Sequence, residues 1–385
     1  MIRERNHDSA RVEVDRPPGQ GGLGVCNGRR RDGSYAAQAH ALVIDAYFSG
    51  TLSSSTGATQ SQIETTIQNA ATAVASLYSN PGTINILFAT QSMNSLGESE
   101  TAQYTLSYSA YTSALAADAA AHPANTTLAA AVAHLSSGNS DSIISATPAL
   151  LSVGLGLSGY GPNIGIYDGI ILLSSTQPLD YTNRNPTNGM YDAMRVIEHE
   201  IDEVLGGGGQ GSTLNAVAAC GLANADNCDP QTDGNANTSY DMGPLDLYRY
   251  ACGSTTPSFT TPPGANACLS VNGGAADIVQ FNQDRDGDYG DFANESSGCA
   301  DCEFPTTSNC PDYVQDAFSC PDQAADETTS SPEYQMMEAI GYDPAVPEPA
   351  SALLLSAGVG GTAILRGRRR ARHLKVPATL TAAVN

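Results

Sequence analysis

Four consecutive glycines, Gly206 to Gly209, end the stretch of this chain whose local structure is most tightly dictated. Ahead of them Met190, Met194, Ile197, Ile201, Val204 and Leu205 recur at i, i+4, i+7, i+11 and beyond. That stripe is what an amphipathic helix turns toward a core. The pattern predicts a helix over about residues 189–205, capped by Asn188 and stopped where glycine takes over the backbone. Its last turns carry His199, Glu200 and Glu203. Residues four apart stack on one helix face, so His199 and Glu203 project together, with Glu200 about 100° round the axis. An imidazole and a carboxylate so placed can share one divalent metal ion while Glu200 addresses a water beside it. The negative end of the helix dipole favours a cation there. The alternative is an acid-rich helix that binds nothing.

Charge is unevenly spread along the chain. Between Asp32 and Leu365 there are 36 acids and only four basic residues, Arg184, Arg195, Arg249 and Arg285. Nucleic acid and anionic lipid are bound by matching their phosphates with Lys and Arg, so a nucleic-acid partner is excluded and divalent cations suit the surface better. Asp284, Asp286 and Asp288 alternate, and Glu295 falls at the twelfth position counted from Asp284, the spacing of a Ca²⁺ loop. Tyr289 occupies the place where such a loop has glycine. The two readings are a Ca²⁺ site of another loop geometry and a solvated acidic turn.

Eight of the nine cysteines lie between Cys220 and Cys320, among Gly, Asn, Asp and Pro. An even set packed this closely reads as a disulfide framework made in an oxidising compartment. Cys299-x-x-Cys302 offers the competing reading of a structural zinc. Residues 1–40, which hold Cys26, are Arg- and Gly-rich without an apolar run, and read as a disordered or mis-assigned leader. At the other end, residues 346–372 run Val346-Pro347-Glu348-Pro349, a mostly apolar stretch from Ala350 to Leu365, then an arginine cluster from Arg366 to Arg372; residues 373–385 form a tail. That order resembles the PEP-CTERM sorting signal of Gram-negative bacteria that make exopolysaccharide. The resemblance implies transient anchoring in the inner membrane, recognition by a membrane-embedded sorting enzyme, and release to the cell surface or exterior.

Between the ends, β-branched and aromatic runs predict strands at Leu42–Phe48, Thr83–Ala89 and Ile164–Ser174, the last broken at Asp168-Gly169. Helical spacing appears over Gln60–Tyr78, Ala110–Ala121 and Thr127–Leu135. Past Gly209 the chain reads as loops pinned by cysteines, with short elements at Pro244–Tyr250 and Ala276–Phe281 and a last helix at Tyr334–Ile340. The expected division is therefore 41–209, with the motif helix, and 210–345, loop-rich and disulfide-stapled.

The helix His199-Glu200-Ile201-Asp202-Glu203-Val204-Leu205-Gly206 resembles the HEI-[ST]-E-V-[ML]-G helix of secreted, PEP-CTERM-associated bacterial metalloproteases. Gly243-Pro244-Leu245-Asp246-Leu247-Tyr248-Arg249-Tyr250 is similar to that family's PLDLFRY element. Leu269 to Gly274, Phe281-Asn282 with Gly287 to Phe292, and Met337 to Asp343 are similar to three further elements in the same order. The resemblance spans about residues 41–370. It implies an α+β, zincin- or metzincin-like domain with a mixed sheet and the motif helix beneath a cleft. It also implies Zn²⁺ on His199 and Glu203, Glu200 as general base, and a protein or peptide substrate. His199 is the only histidine between His134 and His373, so a third ligand must be Asp, Glu, Tyr or Cys. Asp246, in a Gly243-x-x-Asp246 setting similar to that of some zinc peptidases, is the first choice, with Tyr248 and Tyr250 as alternatives. The other functional reading is a non-catalytic exported matrix protein whose acidic loops bind calcium or polysaccharide.

Overall fold

The computed structural model describes residues 42–135, 143–215, 241–259, 266–284, 286–293 and 313–345. They form a mixed α+β fold with several small sheets. A first compact unit runs through Pro344, and the chain from Ala345 onward is a separate unit whose residues from 346 lie outside the described set. The sorting-signal reading falls there, and the leader reading on residues 1–40 also lies outside.

The main sheet has four strands. β1 (Leu42–Phe48), β2 (Gly82–Gln91) and β6 (Gly169–Ser174) run parallel, and β3 (Gly97–Thr101) pairs antiparallel with β6, giving the order β1-β2-β6-β3. Alternation in β2 buries Ile84, Ile86 and Phe88 on one face. α1 (Gln60–Ser76) covers that sheet, burying Ile63, Ile67, Ala70, Ala71 and Val74 at helical spacing. A capping box at Thr59 and Gln62 starts it by satisfying free backbone donors. The third strand is shorter than its apolar run suggests. Asp168 ends the run by accepting the Asn85 N–H at 2.8 Å, and the strand begins at Gly169.

β4 (Tyr104–Ser107), β5 (Ile143–Ala146) and β9 (Asp241–Met242) make a small second sheet, with α2 (Tyr108–Ala121) and α3 (Thr126–Ala133) beside it. β7 (Leu179–Asp180) pairs with β8 (Tyr191–Asp192), which leads directly into the motif helix, α4 (Ala193–Leu205). The helix start differs from expectation. Asp192, not Asn188, is the cap, accepting the Met194 N–H at 3.0 Å while ion-paired to Arg184 at 2.7 Å. A carboxylate at a helix N-terminus satisfies both the free donors and the dipole. Asn188 sits in the preceding turn with φ 64°.

After a short helical turn at Leu245–Tyr248, β10 (Arg249–Tyr250), β11 (Cys268–Leu269) and β12 (Val279–Gln280) form a third sheet. A disulfide joins Cys252 to Cys268 across it. Closing a loop of this length stabilises a fold by about 3 kcal/mol. Cys320 is buried, and Cys26, Cys220, Cys228, Cys299, Cys302 and Cys310 lie outside the described residues. α5 (Pro332–Ile340) closes the unit against α3. Among the described residues no helix is long and apolar enough to cross a membrane.

Candidate metal centre

The motif helix is held against the sheet by small residues. A Cβ on Gly169 would lie 2.6 Å from a Val204 methyl, so only glycine lets β6 approach α4 this closely. Gly206 ends the helix with φ 101°, its N–H returning to the carbonyls of Asp202 and Glu203. From there the glycine run folds back onto the helix, not away from it. The Gly209 N–H donates to Glu203 Oε1 at 3.0 Å. A Cβ at that position would come within 2.5 Å of Glu203 Oε1 and 2.7 Å of Asp288 Oδ2. The glycines therefore let backbone lie where two acidic side chains converge.

His199 is oriented by its Nδ1, which lies 3.0 Å from the Val314 carbonyl oxygen. A carbonyl only accepts, so Nδ1 carries the proton and Nε2 presents its lone pair. Burial pushes the imidazole pKa down, toward the neutral form a metal requires. Nε2 stands 3.9 Å from Glu203 Oε1 and 3.6 Å from Asp291 Oδ2. Ligand atoms of these three residues all lie within 4.8 Å of one another. Donors bound to one zinc at ~2.0–2.2 Å in a tetrahedron are about 3.3–3.6 Å apart, so a small closure suffices. Each of the three is also fixed from behind. Ser99 Oγ on edge strand β3 donates to Glu203 Oε2 at 2.7 Å, and Gln315 Nε2 donates to Asp291 Oδ1 at 3.0 Å. Such partners orient ligands and raise their basicity.

Glu200 lies against β3, where the absent side chain of Gly97 makes room: a Cβ there would be 2.4 Å from Glu200 Oε1. Its Oε2 is buried with no hydrogen-bond partner. Burial first, then Glu203, Asp291 and Asp288, push its pKa well up. Burial followed by Asp288 and Glu203 does the same to Asp291, and burial followed by Glu203 raises Asp288 to about 7. Four carboxyl groups thus crowd one neutral imidazole. Protons relieve that repulsion, and a divalent cation would relieve it better. The donor set fits a metal ion.

The structure does not bring Asp246 to this centre. Its carboxylate accepts from Ser212 Oγ at 2.6 Å, from the Gly243 N–H at 2.8 Å, and from the N–H and Oγ1 of Thr213. It braces the turn after the motif helix. Tyr248 and Tyr250 also point elsewhere, to the carbonyls of Ala339 and His134. The carboxylate that stands beside His199 and Glu203 is that of Asp291.

The alternating acids part company as well. Asp284 receives the Asp286 N–H in a local turn, Asp286 is exposed, and Asp288 turns inward to Asn215 and the Glu203 side. Asp284, Asp286 and Asp288 do not converge on a Ca²⁺ position, and Glu295 lies outside the described residues.

Two buried arginines deliver the distant pieces. Arg195, on the motif helix, pairs with Asp316 at 3.0 Å and donates to the Tyr313 carbonyl at 2.6 Å, which sets the turn carrying Val314 and Gln315. Arg249 donates to the Tyr289 carbonyl at 2.6 Å and lies over the Phe281 ring at 4.5 Å, which sets the loop carrying Asp288 and Asp291. No local motif marks Asp291, Ser99, Gln315 or either arginine as part of this centre. The available signals were the i, i+3 pairing of Asp288 with Asp291 and the scarcity of arginine in the body. No protein-family model, no curated protein and no solved structure matches this chain, so the reading of the centre rests on its own residues.

Proposed function

We propose that this protein is an exported, metal-dependent endopeptidase in which His199, Glu203 and Asp291 hold a zinc ion and Glu200 is the general base. The observation that carries the reading is the convergence of those three ligands within 4.8 Å, with an unpartnered, buried Glu200 oxygen beside them. A zinc ion held by His199, Glu203 and Asp291 would supply Lewis acidity, polarising a scissile carbonyl and lowering the pKa of a water toward about 7. Glu200 would accept a proton from the attacking water and pass it to the leaving amine. Burial, with Glu203, Asp291 and Asp288 behind it, pushes the Glu200 pKa up in the metal-free protein, and positive charge in the cluster would offset that shift and favour Glu200 as a base. Ser99, Gln315 and the Val314 carbonyl keep the ligands from turning away.

The sheet supports a zincin-like arrangement. Three strands are parallel, and the antiparallel edge strand β3 touches Glu200 through Gly97 and Glu203 through Ser99. β3 ends the strand order, which suits pairing with an extended peptide substrate. The sorting-signal resemblance of residues 346–372 supports processing at the inner membrane and release from a Gram-negative cell. The mass of secreted protein, lacking that segment, would test this.

The activity is tested with purified protein, by metal content and by cleavage of a mixed peptide library. Wild type should carry a transition-metal equivalent that His199→Ala loses. Glu200→Gln should keep the metal and lose hydrolysis by about 10²–10⁴-fold. Metal-loaded protein that cleaves no peptide overturns the reading. The second reading, a non-catalytic matrix protein that binds calcium, draws on the four carboxyl groups crowded here, and calcium bound in preference to zinc with no hydrolysis would support it.

A further inference from the structure

Outside the motif-helix centre, Asp118 and His122 occupy the last turn and the cap of α2, and Asp343 follows α5. His122 Nδ1 lies 2.8 Å from Asp118 Oδ1 and 2.8 Å from Asp343 Oδ2. One ring nitrogen carries at most one proton, so it cannot fully satisfy two carboxylates. Asp118 Oδ2 is buried without a hydrogen-bond partner, on a side chain only 9% exposed. It faces the Gly341–Asp343 segment, since a Cβ on Gly341 would lie 3.9 Å away. No arginine of the described residues reaches these carboxylates. Among the described residues the arginines are engaged elsewhere, Arg184 with Asp192, Arg195 with Asp316 and Arg249 with Tyr289. The C-terminal end of α2 adds its own negative dipole.

We propose that Asp118, His122 and Asp343 form a second divalent-cation site, separate from the motif-helix centre and structural in role. Their ligand atoms lie within 4.8 Å of one another. His122 is half exposed, at 48%, so its ring can back off from hydrogen-bonding to coordinating distance while waters complete the shell. One imidazole with two carboxylates suits zinc or manganese; calcium instead takes six to eight oxygens. The site ties α2 to the end of the compact unit. The Asp343 carbonyl accepts the Ser79 N–H at 2.9 Å, its own N–H donates to Asn80 Oδ1 at 2.7 Å, and Asn125 Nδ2 holds the Tyr342 carbonyl at 3.1 Å. A cation here would lock the last turn of folded chain in place.

The experiment uses full-length protein, equilibrated with zinc or manganese and dialysed before elemental analysis and thermal melting. His199→Ala silences the motif-helix centre, and Glu203→Gln replaces it should that variant fold poorly. The His199→Ala protein should retain one equivalent of zinc or manganese, which also raises its melting temperature. Adding His122→Gln should abolish both effects, and adding Asp118→Asn should weaken binding at least tenfold. Absence of any bound cation in both His199→Ala and Glu203→Gln proteins overturns the proposal, as does binding that persists unchanged with His122→Gln. The two sites fail separately. A single equivalent in wild type that depends on His122 and not on His199 would refute the peptidase centre and leave this site standing.

Discussion

Replacing Asp291 by asparagine should have opposite effects with and without metal. Asp291 Oδ2 lies 3.6 Å from His199 Nε2, and the three ligand atoms, Glu203's included, lie within 4.8 Å of one another. Two unit charges at 4.8 Å and an effective dielectric of about 20 repel by roughly 3–4 kcal/mol. Burial and that repulsion lift the Asp291 pKa, so the metal-free parent either bears the repulsion or binds a proton to escape it. An amide removes the charge and can still accept from Gln315 Nε2. At pH 7.5 in a chelator, Asp291→Asn should therefore be more stable than the parent by ~1–3 kcal/mol. With zinc the order reverses. An anionic ligand is lost, and affinity should fall at least about 100-fold, or ~3 kcal/mol. Denaturant unfolding of both proteins in chelator and in excess zinc measures the two effects together. The reasoning fails if the variant is less stable in both conditions, or if Asp246→Asn, and not Asp291→Asn, releases the metal.

Three further outcomes follow from the same geometry. Ser99→Ala removes the 2.7 Å hydrogen bond to Glu203, and zinc affinity measured by competition with a chelating dye should drop roughly 10-fold, with the fold intact. Gly97→Ala places a methyl 2.4 Å from Glu200 Oε1, so peptide hydrolysis should fall while metal content holds, at about 1–3 kcal/mol of stability. Burial raises Glu198 from 4.5 to about 8, so the folded protein holds a proton that the unfolded chain releases earlier. That stability is fully present below about pH 4.5 and is lost as pH rises to about 8, a fall of ~2–4 kcal/mol in the metal-free protein. Unfolding curves across that window should flatten on Glu198→Gln, and an unchanged slope would refute the assignment.

What the sequence by itself determined is local. The motif helix, its apolar stripe and the joint projection of His199 and Glu203 follow from a 3.6-residue period within thirteen residues. The first two strands and the helix between them were legible because alternation and helical spacing are short-range signals, and so was the final helix. The rest is decided by contacts between residues far apart in the chain. The motif-helix cap went to Asp192 because Arg184 pairs with it and backbone donors meet it. Asp246 read as a ligand from its place after a glycine, yet Ser212, Thr213 and Gly243 claim its carboxylate. The spacing of Asp284, Asp286 and Asp288 suggested a Ca²⁺ loop, and only the packing of that loop turns Asp288 and Asp291 inward toward the motif helix. Arg249 sets the loop through the Tyr289 carbonyl, and Arg195 does the same for the Val314–Gln315 turn. A helix turn can align two donors. The third comes from nearly ninety residues downstream, and no local periodicity reaches that far.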